Sequence, residues 1–166
     1  MRSDRGSPPK PSALGTGDSL RAGKPVSLKS RAVGLLARRE YARAELAERL
    51  IADGASRDDV TALLDELAGR GLQSDERYAR ALVAHRAAGY SRHWIRAELK
   101  RRGVAPDAID AVLADAAPDD EAALVALWQR RYGTLPSDER AKAQQVRFLR
   151  SRGFEVSAIL KLLRSR

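Results

Sequence analysis

The chain matches itself at an offset of 49 residues without a gap, and this repeat limits the folds open to it more than any other feature. Residues 41–64 read YARAELAERLIADGASRDDVTALL, and residues 90–113 read YSRHWIRAELKRRGVAPDAIDAVL. Tyr41 falls on Tyr90, Arg43 on Arg92, Leu46 on Ile95, Leu50 on Leu99, Gly54 on Gly103, Asp58 on Asp107, Val60 on Ile109 and Leu64 on Leu113. A third copy shifted by 50 begins at Phe148, where Leu149, Arg152, Gly153, Ile159 and Leu163 fall on Leu99, Arg102, Gly103, Ile109 and Leu113. A period of this size marks tandem modules that touch mainly their neighbours, in elongated arrays with long surfaces and no single deep pocket.

Each copy reads as a helix pair preceded by one more helix. Apolar residues recur at i, i+3, i+4 and i+7, as in Val60, Leu63, Leu64 and Leu67, or Val156, Ile159, Leu160 and Leu163. Glycines end the helical stretches at Gly54, Gly69 with Gly71, Gly89, Gly103, Gly133 and Gly153. Ser56 with Asp59 resembles a capping box, Ser74 and Ser137 are candidate caps, and Pro106 suits a first turn. No stretch alternates with the period of a strand. The spacing predicts an all-α chain of about nine short helices, near 28–39, 43–52, 57–69, 75–88, 91–102, 106–115, 119–132, 137–152 and 155–164. Repeat one then covers 28–72, repeat two 73–117 and repeat three 118–166. Residues 1–27 hold four prolines and four glycines with no apolar period, and are expected to form a disordered basic tail.

The +9 net charge is unevenly placed. Residues 32–118 hold fourteen charges of each sign, whereas 119–166 hold ten basic against six acidic residues. The excess in the folded part therefore sits in the third repeat, where it raises affinity for polyanions or acidic surfaces. Lys100, Arg101 and Arg102 occupy one helix end, and Arg147, Arg150 and Arg152 a related one, with Arg130 and Arg131 nearby. Two readings stand: cations that complement helix dipoles, or forks that bind phosphates and carboxylates. Arg86 reads as a surface residue, and Trp94 and Trp128 as core.

Catalytic signals are missing. There is no cysteine, hence no disulfide, thiolate zinc site or cysteine nucleophile. No GxxxxGK[ST] loop occurs, and His85 and His93 form a poor metal pair. Acidic pairs such as Asp58-Asp59 fall at helix starts, where they suit the dipole. No cofactor, metal or catalytic residue is expected. No apolar run nears the ~18 residues of a membrane span, and a secretory signal core is not found, so a cytoplasmic protein is expected.

Asp75-Glu76-Arg77-Tyr78-Ala79, then Gly89-Tyr90-Ser91 leading to Ile95 and Glu98-Leu99-Lys100-Arg101-Arg102-Gly103-Val104, and finally Arg147-Phe148-Leu149-Arg150-Ser151-Arg152-Gly153-Phe154 with Ile159, resemble the RecX family in order and spacing. The resemblance covers roughly residues 28–164. Ala42 departs from it, standing where members often carry a capping serine or threonine. The resemblance implies three tandem three-helix repeats, a monomer that binds the RecA filament on single-stranded DNA, and restraint of its ATP hydrolysis and strand exchange. Two rivals remain: a general helical DNA-binding protein without a recombinase partner, and a small helical nuclease.

Overall fold

The computed structural model describes residues 27–117 and 119–164. Within them lie nine helices and no strand: α1 (Leu28–Leu36), α2 (Arg43–Ala52), α3 (Arg57–Gly69), α4 (Asp75–Arg86), α5 (Arg92–Arg101), α6 (Pro106–Ala116), α7 (Asp120–Arg131), α8 (Glu139–Ser151) and α9 (Val156–Arg164). Each lies within three residues of the segment expected for it. The expected tail falls outside the described residues except at Ser27, which is instead the N-cap of α1 and accepts from the Ser30 N–H.

Three hydrophobic cores follow one another along the chain. Leu46, Leu50, Val60, Leu64 and Leu67 centre the first, Ile95, Leu99, Ile109, Val112 and Leu113 the second, and Leu124, Trp128, Leu149, Ile159 and Leu163 the third. All the extensive helix packing runs within these trios: α1 and α3 on α2, α4 on α5 and α6 with α5 on α6, and α9 on α7 and α8. One repeat position departs from its apolar counterparts. Gln145 is buried where Leu46 and Ile95 stand, and its Oε1 accepts from Trp128 Nε1 at 2.9 Å. The buried amide thereby satisfies a buried indole that would otherwise lack an acceptor.

The repeated glycine makes the same turn three times. Gly54, Gly103 and Gly153 have φ of +96°, +77° and +88°, a region open to glycine at little cost. In each, the glycine N–H bonds the carbonyl three residues back (Ile51, Lys100, Arg150), and the next N–H bonds the carbonyl of a buried leucine, Leu50, Leu99 or Leu149. This is a Schellman ending. The residue after the glycine, Ala55, Val104 or Phe154, then packs onto the core it has just closed.

Two of these turns also join modules. A Cβ on Gly103 would sit 2.9 Å from Ala44 Cβ, and one on Gly153 would sit 2.5 Å from Ser91 Oγ and 2.7 Å from Trp94 Cβ. A Cβ on Gly54, in the first trio, would meet nothing within 4 Å. Each turn thus abuts the first turn of the second helix one module earlier. A carboxylate reinforces both contacts: Asp75 Oδ1 accepts from the Arg43 N–H, and Asp120 Oδ1 from the Arg92 N–H, each at 2.7 Å. The first residue of one trio's opening helix therefore satisfies an orphan donor of the trio before it. Among the described residues no hydrogen bond or ion pair joins the first trio to the third, so the array is linear in its contacts.

This junction accounts for Ala42. Its side chain is fully buried among residues of the second core, and α2 has no side-chain cap of its own: the Asp75 carboxylate takes the Arg43 N–H, whereas Ser91 at the matching position caps the Trp94 N–H beside Asp120 on the Arg92 N–H. Other caps fall as expected at Ser56 and Ser74, with one exception. Ser137 does not cap; Asp138 does, accepting from the Ala141 N–H at 2.7 Å, so α8 begins later than expected. Asp59 completes no reciprocal box, because its carboxylate takes the Ser56 hydroxyl at 2.7 Å. Gly69 and Gly89 do not adopt the left-handed conformation; Gly71, with φ +68°, makes the turn after α3.

Arg86 is not the plain surface residue expected. It is half-buried, its Nε has no hydrogen-bond partner, and its guanidinium lies 5.4 Å from the Tyr90 ring centre and 5.9 Å from that of Trp94. Trp94 is likewise only half-buried, tilted on Tyr90 with centroids 4.0 Å apart.

Two stability measurements check this account. Leu99→Ala removes a fully buried leucine and should cost about 2–4 kcal/mol in urea unfolding, against a change within about 0.5 kcal/mol for exposed Arg57→Ala. Gly54→Ala should lose roughly 1–2 kcal/mol through its positive φ alone. Gly153→Ala should lose at least about 1 kcal/mol more, because Ser91 and Trp94 must also move. Equal losses at the two glycines would show that the second junction is not closely packed.

Candidate functional site

The eight cations singled out by sequence divide into two sets. Arg101, at the end of α5, holds Glu98 at 2.6 Å, and Arg102 holds Glu98 at 3.1 Å and reaches Glu45 of the first trio at 3.0 Å. Arg130 donates to the Ala88 carbonyl at 2.8 Å, across the second junction. Arg152 lies between two rings, 4.6 Å from the Tyr90 centre and 5.0 Å from that of Phe148. Arg131 covers Phe148 at 5.4 Å. These five arginines are occupied within the chain, three of them across junctions.

Lys100, Arg147 and Arg150 form the other set. They are exposed, and none makes an ion pair, ring contact or side-chain hydrogen bond among the described residues. Arg147 and Arg150 point away from the core side of α8, which carries Gln145 and Leu149. At 100° per residue Arg140 shares their face, one turn-pair before Arg147, and it too is exposed without a partner there. The three arginines span ~15 Å of helix, with no acidic residue between Arg140 and Arg150. The sequence signal for Arg140 is its i, i+7 spacing from Arg147, which the search for charges at helix ends passes over.

Glu98 is the one carboxylate shared between two of these arginines. Burial pushes its pKa up, but hydrogen bonds from Arg101 and Arg102 outweigh burial and hold it below 4.5. The same bond, with Glu98 as acceptor, raises Arg102. Glu98 therefore favours the folded state in its ionised form.

Little else in the structure suits chemistry. A cavity of about 250 Å³ between α7 and α9 has an apolar lining of Leu124, Val125, Phe154 and Leu162 and an acidic rim of Asp120, Glu121 and Glu155. It holds no hydroxyl or imidazole that a carboxylate could activate. Among the described residues no three His, Asp or Glu side chains gather as a metal site, and no helix there is long and apolar enough to cross a membrane.

Against this geometry the comparisons with known proteins are specific. Residues 74–113 match the family model for the second three-helix domain of RecX, and residues 119–163 match that for the third. The chain belongs to the RecX family. It is 45% identical over 142 residues to Regulatory protein RecX of Ectopseudomonas mendocina, covering 84% of this chain and 95% of that one. Against Regulatory protein RecX of Pseudomonas entomophila the identity is 42% over 144 residues, covering 86% and 93%. The solved structure of RecX from Lactobacillus salivarius shares the fold at a TM-score of 0.62 and 17% identity, covering 82% of this chain and 94% of that one. The matched domains hold α4–α6 and α7–α9, so the RecX modules coincide with the second and third cores.

The RecX modules should lose stability in acid partly through Glu98. Its folded pKa is depressed, so its contribution is present above pH 4.5 and is lost as the pH falls below it. Glu98→Gln should start less stable at pH 7 and lose less between pH 5 and pH 3 than the parent chain. Parallel acid unfolding of the two proteins would show that the Arg101–Glu98–Arg102 cluster contributes nothing.

Proposed function

We propose that this protein binds as a monomer along a RecA recombinase filament on single-stranded DNA, restrains its ATP hydrolysis and strand exchange, and so regulates recombination and repair in the bacterial cytoplasm without being an enzyme. Its membership of the RecX family carries the reading. The linear array supports it physically, because modules that repeat every 49 or 50 residues suit a target that itself repeats.

Within that reading the contact is made by the unoccupied cations, Lys100, Arg147 and Arg150, extended by Arg140. Arg101, Arg102, Arg130, Arg131 and Arg152 act as structural members that hold the modules and present those side chains. The rival reading, general DNA binding, rests on the same arginine row, which can follow phosphates without any recombinase.

Arg147→Ala combined with Arg150→Ala should weaken association with the recombinase filament by about tenfold, the scale of two partly exposed charge contacts. Helicity and melting temperature should stay unchanged, since neither side chain has an internal partner. Arg152→Ala should instead lower the melting temperature. Unchanged potency of the double variant against the recombinase's ATP hydrolysis would remove this surface from the reading. A loss of naked-DNA binding equal to the loss on filaments would favour the rival.

A further inference from the structure

The first module contains a concentration of arginine that its neutral charge balance conceals. Arg31 from α1, Arg38 just beyond its end and Arg49 from the last turn of α2 line one shallow pocket of about 240 Å³, together with Ser30, Gly34 and Asp53. Three guanidinium groups against one carboxylate leave a local charge of +2. Sites that enclose a whole small molecule usually run from roughly 300 Å³ upward; this one suits a single group.

Among the described residues no carboxylate forms an ion pair with any of the three arginines. In the second module the positions of Arg49 and Asp53 carry Glu98 and Arg102, joined at 3.1 Å. Here the two signs are exchanged and no ion pair forms between them. Arg49 and Arg38 are exposed, with no side-chain hydrogen bond or ion pair among the described residues. Arg31 sends Nη1 to the Asp53 carbonyl at 3.3 Å, while its Nε is buried with no acceptor. The other such orphan, Arg86, at least rests on two aromatic rings; Arg31 has none. A buried donor without an acceptor is costly and uncommon.

The surroundings leave room for an oxyanion. A Cβ on Gly34 would meet nothing within 4 Å. Ser30 Oγ accepts from Ser27 Oγ at 2.9 Å, which leaves its own proton to donate. Two acids share the pocket on the far side of Arg49: Glu45 is held by Arg39 at 2.7 Å and Arg102 at 3.0 Å, and exposed Glu48 forms no ion pair with Arg49. Helix-dipole complementation accounts for Arg49 in a last turn, but it does not require three guanidiniums from two helices to meet.

We propose that Arg31, Arg38 and Arg49 form a phosphate-binding site that takes the backbone of a single-stranded nucleic acid. Guanidinium forks match phosphate oxygens, and three forks around one pocket supply more donors than one carboxylate can accept. The site stands apart from the filament reading, which concerns the other end of the chain.

The test uses the full chain and a fluorescein-labelled single-stranded oligonucleotide, followed by anisotropy across salt concentrations. Arg38→Gln with Arg49→Gln should bind roughly tenfold more weakly, and the slope of log affinity against log salt should shrink by about 1.4, for two single-strand phosphates. Arg57→Gln, an exposed arginine of the same module, should leave both unchanged, and circular dichroism should show all variants equally helical. In a second arm, inorganic phosphate is titrated against the arginine Nε–Hε resonances. Shifts of Arg31, Arg38 and Arg49 with phosphate, but unchanged oligonucleotide affinity, would keep the phosphate site and assign it a small ligand in place of a strand. Unchanged affinity, slope and resonances would overturn the site, as would a response to poly-aspartate without one to phosphate. Because filament binding by the α8 arginines is measured separately, failure here leaves that result standing.

Discussion

Gly103 and Gly153 each perform two tasks that no other residue can perform together. The left-handed turn closes a helix, and the missing Cβ lets the turn lie against the helix one module earlier. Three helices of nine to thirteen residues enclose too little apolar surface for comfortable independent stability. The contact between turn and neighbouring helix therefore shares the burden along the chain, and the carboxylates of Asp75 and Asp120 fasten it. Gly54, in the first trio, has open space around it and performs only the first task.

The helices and their ends were legible because their determinants are local. Apolar period, serine caps and glycine stops act within one turn of the residue concerned, and the structure departs from them by only a few residues. What escaped was through-space. Ala42 is a missing cap in the sequence, but its burial in the second core comes from packing against residues far along the chain in another module. Gln145 carries no sequence signal of burial, yet it fills an apolar position because Trp128 supplies a donor at 2.9 Å. Ser137 and Asp138 were neighbours of equal capping power, and sequence alone does not choose between them.

The cations show the same division most clearly. Charge counting finds arginine but not its partner, so Arg102 and Arg152 were grouped with Arg147 and Arg150 by spacing alone. The structure separates them, because the first pair lies at junctions facing Glu45, Tyr90 and Phe148, and the second faces outward. Counting also averages: the first module's arginines were hidden by acids elsewhere in a neutral segment. A charge acts over about a Debye length, near 10 Å at ordinary salt, so its immediate surroundings matter more than the segment's total.

The two junctions are built from different forces. The second contains a backbone bond from the Ser91 N–H to the Arg152 carbonyl at 3.0 Å, the Ser91 hydroxyl on the Gly153 carbonyl at 2.8 Å, and Arg152 held between two rings. The first contains the Gln73 amide on the Tyr41 carbonyl at 3.3 Å, ion pairs of Arg77 with Glu40 at 2.8 Å and of Arg102 with Glu45 at 3.0 Å, and an alanine where Ser91 would stand. Half-exposed ion pairs fade with ionic strength, whereas backbone bonds and ring stacking barely respond to it. The two junctions consequently differ in their response to solvent: rising salt weakens the ion pairs between the first and second modules more than the backbone bond and ring contacts between the second and third.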